Sequence, residues 1–479
     1  MKLTFWGAAR QVTGSMFLLE LEDGYTILID CGTDLDKQKV ERDKLLGHYS
    51  LFPFEPSQIN LVLLTHAHID HSGNLPNLIR EGYEGQILCT TATLPLADLL
   101  LRDAAALNAK RVKELQSEPA GKKKKTSKKK FRPNPLELYL EKQVHETTDR
   151  FVTIGFNQKF KVSKTISVTF IPTGHLLGAA NIVLDIEENG VKKSIGFSGD
   201  VGRKNYPLLP DPQRMPQVDY LVCESTYGGR RHADKDAPEE ALAKIIKETC
   251  IDQPGRLIIP AFSVGRTQAL LFVLNKLYTE EGLPPIKVFS DSPLALASTR
   301  VYEKNIGLLN KEAKEFYEEH EELFDFDNLT YVQDMKQSKA IANYNEPCII
   351  ISSSGMISGG RVEHHVMTNL PNPYATILLV GFAAEGTLGN KLLKGMRSLS
   401  ISKDKEIPIM ATIKSIDVFS GHGDLDDLTD FVEYQSNDKL KTIFLVHGEL
   451  ESMESFKSHL HYRGYTDIQI PKWGDEFEL

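Results

Sequence analysis

A histidine-rich segment immediately after an apolar run places the strongest constraint on how this chain can fold. The run Asn60–Thr65 has the composition of a strand buried on both faces. Four side chains able to coordinate a metal follow it within six residues: His66, His68, Asp70 and His71. His66 and His68 project to the same side of an extended chain. Imidazole and carboxylate groups suit zinc and similar divalent ions, so the segment predicts a metal site where this strand ends.

Three residues elsewhere in the chain are candidates to complete such a site. One metal ion needs three or four protein ligands, so one loop with four of them cannot hold two ions. His175, Asp200 and His447 each follow an apolar, strand-like run and have a glycine close by in sequence. A glycine allows the backbone to bend around an ion. Spacing alone leaves each of the three open between a ligand and a structural residue.

The hydrophobic pattern changes along the chain and predicts its domain organisation. Short β-type runs separated by glycine-rich turns dominate the first part. From about residue 219, strands alternate with helices, which predicts a mainly parallel sheet flanked by helices, with ligands at the carboxyl ends of the strands. Strand patterns return after about residue 400. We therefore expect a β-rich domain, an inserted α/β domain and a closing segment, with boundaries at 1–210, 211–398 and 399–479.

Composition excludes several classes of protein. Hydrophobic residues make up 41% and charged residues 25% of the 479 residues, as in ordinary globular proteins. The apolar runs have the length of strands, and the first residues do not form a secretion signal. The five cysteines are scattered, without a Cys-x-x-Cys pair. These features argue against a membrane protein, an exported protein, a disulfide framework and a thiolate zinc site, and they favour the cytoplasm.

A run of lysines interrupts the pattern in the first domain. Seven lysines lie within Lys122–Lys130, in a segment of about residues 115–145 that we expect to be an exposed insertion. The run lacks interleaved aromatic residues, and the net charge of the whole chain is −9, so charge does not decide the partner. The lysines are either a solvated loop or an arm that grips a phosphate backbone, whose contribution would fall steeply with salt.

The metal-binding pattern, together with further motifs, resembles a known family. His-x-His-x-Asp-His, Gly-His at 174–175 and Ser-Gly-Asp at 198–200 look like the metallo-β-lactamase superfamily, whose fold is a four-layered αββα sandwich. The motifs around Asp30, Glu224, His422 and His447 resemble the β-CASP branch of nucleic-acid hydrolases. The chain resembles in particular bacterial and archaeal relatives of the endonuclease subunit of the cleavage and polyadenylation specificity factor. The resemblance implies an αββα sandwich with an inserted β-CASP domain.

The resemblance also implies a role for each candidate residue. One zinc ion would be bound by His66, His68 and His175, and a second by Asp70, His71 and His447. Asp200 would bridge the two ions together with a hydroxide, and manganese or iron are alternatives to zinc. Asp30 would orient ligands or the hydroxide. His422 would be the general acid that protonates the leaving oxygen, and Glu224 would raise its basicity by pairing with it.

Phosphate binding is expected at three turns of the inserted domain. Ser263 and Arg266 open a helix, where backbone N–H groups and a guanidinium could meet a phosphate. The other candidates follow apolar strands at Ser353, Ser354 and Gly355, and at Glu385, Gly386 and Thr387. Each turn alone is consistent with a tight turn, whereas all three on one sheet edge would form the wall of a cleft.

Three functions are consistent with these residues. The first is a two-metal ribonuclease that cuts single-stranded RNA, because within the resembling branch a histidine at the position of His447 goes with RNA substrates. The second is a small-molecule hydrolase of the same superfamily that opens a thioester, a lactone or a cyclic phosphodiester. The third is an inactive nucleic-acid-binding subunit, although this chain lacks none of the seven ligands. A homodimer is common in the resembling branch.

Overall fold

The computed structural model describes residues 1–34, 51–117, 138–233, 236–357, 359–381, 386–402 and 405–479. The run Lys122–Lys130 and the candidate Glu385 lie outside these described residues. Among the described residues, no helix combines the length and the hydrophobicity that a bilayer crossing requires.

The first sheet contains both the first and the last strand of the chain, which pair with each other. Pairing is antiparallel as far as Thr26–Ile29 and parallel beyond it. Since Ile29 lies opposite Leu63 in a parallel pair, Asp30 and the histidine loop leave the sheet side by side. From one edge to the other, the seven strands are Glu476–Glu478, Lys2–Phe5, Phe17–Glu20, Thr26–Ile29, Leu61–Leu63, Gln86–Thr90 and Phe151–Ile154.

The second sheet brings three more candidate residues to one edge. Its central strands Val191–Phe197, Tyr220–Glu224 and Thr442–Val446 are parallel neighbours. Their carboxyl ends therefore lie together, and these ends carry Asp200, Glu224 and His447. In spatial order the seven strands are Ile468–Gln469, Thr442–Val446, Tyr220–Glu224, Val191–Phe197, Ala180–Glu188, Ile166–Pro172 and Phe160–Lys161.

A phenylalanine-rich core joins the two sheets face to face. The ring centroids of Phe5 and Phe444 lie 5.2 Å apart, and those of Phe17 and Phe197 lie 6.2 Å apart. All four side chains are buried in one apolar cluster. Truncating a phenylalanine in such a core to alanine typically costs about 3–5 kcal/mol. This core fixes the two sheet edges that carry the candidate ligands relative to each other.

Helices cover both outer faces of this sandwich. Leu78 and Leu96 pack in one apolar cluster with Val62 of the first sheet, and Leu428 packs in another with Leu445 of the second. The order of layers is helix, sheet, sheet, helix, which confirms the predicted αββα sandwich. The helices on the first sheet are Ile69–Ser72, Leu75–Arg80, Thr93–Ser117 and Glu141–Thr148, and those on the second are Leu425–Glu433 and Leu450–Tyr462.

The inserted domain contains a third sheet in which all strand pairs are parallel. Ile259 and Leu270 share one apolar cluster, while Ile258 and Val366 share another, so helices cover both faces. This confirms the predicted parallel sheet flanked by helices. The strands, in spatial order, are Leu329–Tyr331, Lys287–Asp291, Cys348–Ser352, Arg256–Pro260, Ala375–Val380 and Thr412–Ile416.

Helices and one separate hairpin complete the inserted domain. The π-helical segment Lys247–Asp252 extends its first helix. Single turns of 3₁₀ helix occur in this domain at Ile306–Leu308 and Ile341–Asn343, and the hairpin joins Ser398–Ser402 to Lys405–Pro408. A further 3₁₀ turn, Pro56–Gln58, belongs to the first domain. The α-helices are Pro238–Ile246, Arg266–Thr279, Pro293–Glu303, Lys311–His320, Met335–Ala340, Gly360–Asn369 and Leu388–Leu393.

Two strands near the expected domain boundaries belong to a different sheet from the one that these boundaries would assign to them. Tyr220–Glu224 pairs within the sandwich, and Thr412–Ile416 forms an edge of the parallel sheet. Both are buried or half-buried parallel strands, so their hydrophobic patterns look alike. We propose, from sheet membership, that the inserted domain extends from after Glu224 to about Ile416 instead of 211–398.

Candidate metal centre

The histidine loop begins where an inner strand of the first sheet ends. His66 and His68 lie in the extended stretch after Leu61–Leu63, and the one-turn helix Ile69–Ser72 then carries Asp70 and His71. Backbone bonds join this loop to its neighbour, since Cys31 N–H donates to the His71 carbonyl at 2.8 Å. The loop is therefore fixed by the sheet and not only by its own turn.

Four side chains converge on the first of two groups. His66 Nε2 and His68 Nδ1 lie 3.1 Å apart, and His175 Nε2 lies 3.2 Å from the same His68 atom. Asp200 Oδ2 lies 3.4 Å from the Nε2 atoms of both His66 and His175. Ligand atoms placed tetrahedrally around zinc at about 2.0–2.1 Å lie roughly 3.3 Å from one another. The spacing of this group therefore fits a single tetrahedral cation.

A second group lies on the other side of Asp200. His71 Nε2 and His447 Nε2 lie 3.3 Å apart, and His447 Nε2 lies 3.5 Å from Asp70 Oδ2. Asp200 Oδ1 lies 3.3 Å from His71 Nε2 and 3.6 Å from His447 Nε2. This buried oxygen accepts no hydrogen bond from the described residues. Asp200 thus presents one oxygen to each group, which is the arrangement that a carboxylate bridging two cations requires.

Hydrogen bonds on the outer nitrogens turn three of the rings towards the centre. His71 Nδ1–H donates to Asp30 Oδ2 at 2.7 Å, and His175 Nδ1–H donates to the Gly421 carbonyl at 3.0 Å. His447 Nδ1 lies 3.0 Å from the Thr226 hydroxyl, which itself donates to the His447 carbonyl. With the proton held on Nδ1, the neutral ring offers a bare Nε2 to a metal.

Burial sets the charge of these groups. It lowers the pKa of His68 to about 4, and it lowers the pKa of His66 and His175 well below that of a free histidine. Burial alone would raise the pKa of Asp200, but His447, His71 and His66 hold it well below its usual value. The first group therefore combines neutral imidazoles with an ionised carboxylate, which are the forms that bind a metal. In the second group, burial alone would lower the pKa of His71, but the charges of Asp200 and Asp30 outweigh it and raise that pKa.

His422 and Glu224 form a pair beside the first group. His422 Nδ1 lies 3.2 Å from Glu224 Oε1, and its Nε2 lies 4.0 Å from Asp200 Oδ2. Glu224 is fully buried and also accepts bonds from the N–H groups of Val201 and Thr226. Burial alone would lower the pKa of His422, but the charge of Glu224 outweighs it and raises that pKa. The charge of Glu224 thus favours the protonated form of His422 next to the centre.

Arg266 lies next to the loop that carries His422. Its Nε donates to the Phe419 carbonyl at 3.2 Å, and its guanidinium lies 4.8 Å from the centroid of the Phe262 ring. Burial lowers its pKa, and no carboxylate of the described residues forms an ion pair with it. A Cβ added at Gly381 would lie 2.9 Å from Nη2 of Arg266, so glycine makes room for the guanidinium there.

Three backbone N–H groups of the same turn, where the sequence suggested an anion site, already donate hydrogen bonds within the turn. The N–H groups of Arg266 and Thr267 donate to carbonyls within the turn, and Gly265 N–H donates to Gln268 Oε1 at 2.7 Å. Ser263 lies in this turn and is half-buried. The guanidinium of Arg266 therefore remains the main candidate of this turn for contact with an anion.

Of the remaining phosphate candidates, Gly355 lies next to Arg266. A Cβ at Gly355 would lie 3.4 Å from Nη1 of Arg266, so this glycine adjoins the guanidinium. Ser353 Oγ donates to Ser292 Oγ at 2.6 Å, and Thr387 Oγ1 accepts from Asn390 N–H as a helix cap. Ser354 follows Ser353, and Gly386 precedes Thr387 in a turn.

Family models match three stretches of the chain. Residues 9–154 match the metallo-beta-lactamase superfamily, and residues 267–392 match the Beta-Casp domain. Residues 406–471 match the Zn-dependent metallo-hydrolase RNA specificity domain. The first stretch contains the histidine loop, and the third contains His422 and His447.

Three curated relatives match almost the whole chain. The chain is 30% identical to Ribonuclease TTHA0252 of Thermus thermophilus over 476 residues, which is 99% of each chain. It is 29% identical to Transcription termination factor FttA of Methanocaldococcus jannaschii, over 94% of this chain and 67% of that protein. It is 27% identical to an RNase J-like protein of the same organism, over 95% of this chain and 94% of that protein. The chain therefore belongs to the β-CASP branch of the metallo-β-lactamase superfamily of metal-dependent hydrolases.

Proposed function

We propose that this protein is a ribonuclease that hydrolyses phosphodiester bonds of single-stranded RNA with the help of two divalent cations. The placement of Asp200 carries the proposal, because its two oxygens face two separate groups of ligand atoms. One relative is named a ribonuclease, and one matched model is described as an RNA specificity domain. These names favour RNA over the thioester, lactone or cyclic phosphodiester substrates of other superfamily members.

The residues of the centre fit two cations of borderline softness. His66, His68 and His175 would hold one cation, Asp70, His71 and His447 would hold the other, and Asp200 would bridge them. We propose zinc for this nitrogen-rich set of donors, with Mn²⁺ and Fe²⁺ as alternatives. When bound, the pair of cations would supply an activated water and neutralise charge on the phosphate. Asp30 keeps the His71 ring turned towards the centre through its hydrogen bond.

His422 is our candidate for the general acid. Its Nδ1–H donates to Glu224, so its Nε2 faces the centre and can carry the proton that a departing oxygen needs. Glu224 has no exposed surface, and its two N–H contacts fix the carboxylate in place. A positioned acid of this kind typically contributes about 10²–10⁴-fold to the rate.

Arg266 is our candidate for substrate binding. No carboxylate of the described residues pairs with its guanidinium, which can form two parallel hydrogen bonds to a phosphate. Its bond to the Phe419 carbonyl places it next to the loop that carries His422. A phosphate bound there would lie on the RNA strand close to the bond that is cut. Because the guanidinium is partly buried, a single strand can reach it more readily than a stiff duplex.

A substrate comparison tests this proposal. The purified protein is incubated with end-labelled single-stranded RNA, single-stranded DNA and a generic thioester, each with and without a chelator. We expect RNA fragments that disappear on chelation and in His422→Ala, although this variant keeps its bound metal. His145→Ala, whose side chain is 71% exposed, serves as a control and should cut RNA normally. Hydrolysis of the thioester alone would overturn the ribonuclease proposal.

A further inference from the structure

We propose that His232 is a positioning residue that fixes the main chain of His422, and this inference rests on the proposed role of His422 as general acid. The His232 ring is almost fully buried, with 4% of its side chain exposed. Its Nε2 lies 3.0 Å from the carbonyl oxygen of His422. A carbonyl can only accept, so Nε2–H is the donor and this ring nitrogen carries the proton.

The loop that carries His422 is held on either side of this residue, because the Gly421 carbonyl accepts from His175 and Gly423 N–H donates to the Val201 carbonyl at 2.8 Å. The bond from His232 adds a fixed point at His422 itself. His422 stands between Gly421 and Gly423, and glycine leaves the backbone more conformational freedom than any other residue. Glu224 holds the side chain of His422 at Nδ1, but it does not hold the main chain. The bond from His232 is made at the carbonyl of His422. It therefore restrains the backbone from which the His422 side chain starts, while Glu224 restrains the ring at the end of that side chain.

His232 is itself held on several sides. Its Nδ1 lies 3.5 Å from Asp417 Oδ2, and its backbone N–H donates to Asp424 Oδ2 at 2.9 Å. The centroid of the His232 ring lies 4.9 Å from that of the Tyr227 ring. The Arg230 guanidinium forms a cation–π contact with the Tyr227 ring, 4.3 Å from its centroid. Asp417 and Asp424 bracket the loop that contains His422. His232 therefore contacts both ends of this loop and its centre: its backbone N–H bonds Asp424, and its ring bonds the His422 carbonyl and lies beside Asp417.

Loss of this bond should affect proton donation more than any other step. Among the described residues, no hydrogen bond or ion pair joins His232 to any of the seven candidate ligands. A displacement of about 1 Å at a reacting group can cost on the order of 10²-fold in rate. We therefore expect a lower kcat for RNA with an unchanged KM and an unchanged metal content.

The test uses variants that differ in whether they can reach the His422 carbonyl. His232→Phe keeps a ring but has no donor, and His232→Asn is polar but too short. His232→Gln can place an amide N–H near the position of Nε2. Each variant, together with His422→Ala and the exposed control His145→Asn, is assayed on single-stranded RNA and on bis(p-nitrophenyl) phosphate. Nitrophenolate leaves without being protonated, so this substrate does not need a general acid.

We expect His232→Phe and His232→Asn to lower kcat on RNA by about 10–100-fold, with little change on bis(p-nitrophenyl) phosphate. His232→Gln should recover most of the activity. The inference is overturned if His232→Phe and His232→Asn cut RNA as fast as the wild type. It is also overturned if these two variants lose activity equally on RNA and on bis(p-nitrophenyl) phosphate. The asparagine variant decides the question if the phenylalanine variant does not fold.

The parallel assay of His422→Ala separates this inference from the proposed function. If His422→Ala cuts RNA as fast as the wild type, the assignment of the general acid fails and the role of His232 fails with it. If His422→Ala loses RNA cleavage selectively while His232→Phe and His232→Asn do not, only the positioning role is wrong.

Discussion

The Nε2 atoms of His71 and His447 lie 3.3 Å apart although 376 positions separate the two histidines in the chain. His71 leaves the first sheet and His447 leaves the second, so the packed core between the sheets brings them together. The contact between the Phe5 and Phe444 rings joins the same two sheets. The candidate metal centre is therefore a product of the sandwich, and it cannot exist in the unfolded chain.

We expect removal of the cations to destabilise the folded protein. Ligands that bind only the native state stabilise it, by about 4 kcal/mol when their concentration is 1,000 times Kd. Thermal unfolding with and without a chelator should show a Tm lower by several degrees in the chelated sample. Asp200→Asn should lose most of this difference, whereas Asp185→Asn, on the exposed side of the same sheet, should keep it. An unchanged Tm after verified metal removal would count against the centre.

The pair of His422 and Glu224 predicts that two different substitutions have the same effect. His422→Ala removes the proton donor, and Glu224→Gln removes the charge that holds it in its protonated form. We expect each to lower kcat on RNA by about 10²–10⁴-fold, measured in single-turnover reactions. The double variant should be no worse than His422→Ala, because both changes disable one step. Metal loss in either single variant would assign the pair to the metal site instead.

Thr226 is predicted to support metal binding through His447. Its hydroxyl accepts from His447 Nδ1–H and donates to the His447 carbonyl. Thr226→Val removes both bonds, and loss of such a partner typically costs about 10–100-fold in metal affinity. Titration with a competing chelator measures this affinity. Thr165→Val, at an exposed threonine, is the matched control and should bind metal normally. Equal affinities in the two variants would contradict the prediction.

Arg266 is predicted to contribute to RNA binding through one phosphate. Arg266→Met should raise KM for RNA, and Arg266→Lys should not restore it, because lysine cannot form two parallel bonds. Loss of one phosphate contact should reduce the salt dependence of binding to a single strand by a slope of about 0.7. The exposed Arg300→Met is the control for loss of a positive charge. A salt dependence that is the same for Arg266→Met and the wild type would contradict the contact.

Much of the fold and of the centre could be predicted because the relevant signals are local. The apolar run before His66 indicates a buried strand, and four ligand types within six residues have little structural reason to occur on a loop. His175, Asp200 and His447 became candidates because each follows such a strand, and the family resemblance then assigned them as ligands. The parallel pairing of Thr26–Ile29 with Leu61–Leu63 then places Asp30 beside His71.

The rest could not be predicted because it depends on contacts between distant segments. Thr226 and the Gly421 carbonyl orient ligand histidines, but neither has a pattern in its own neighbourhood that indicates this. The turn before Arg266 resembles an anion site, yet Gln268 and nearby carbonyls already use its N–H groups. His232 lies only five residues after Tyr227, and its sequence gives no sign that it reaches the His422 carbonyl.

Anomalous diffraction from crystals of the zinc-loaded protein tests the central claim most directly. We predict two peaks at the zinc absorption edge, one among His66, His68 and His175 and one among Asp70, His71 and His447, with Asp200 between them. The two ions should lie about 3.5–4 Å apart. A single peak, or peaks away from Asp200, would contradict the account.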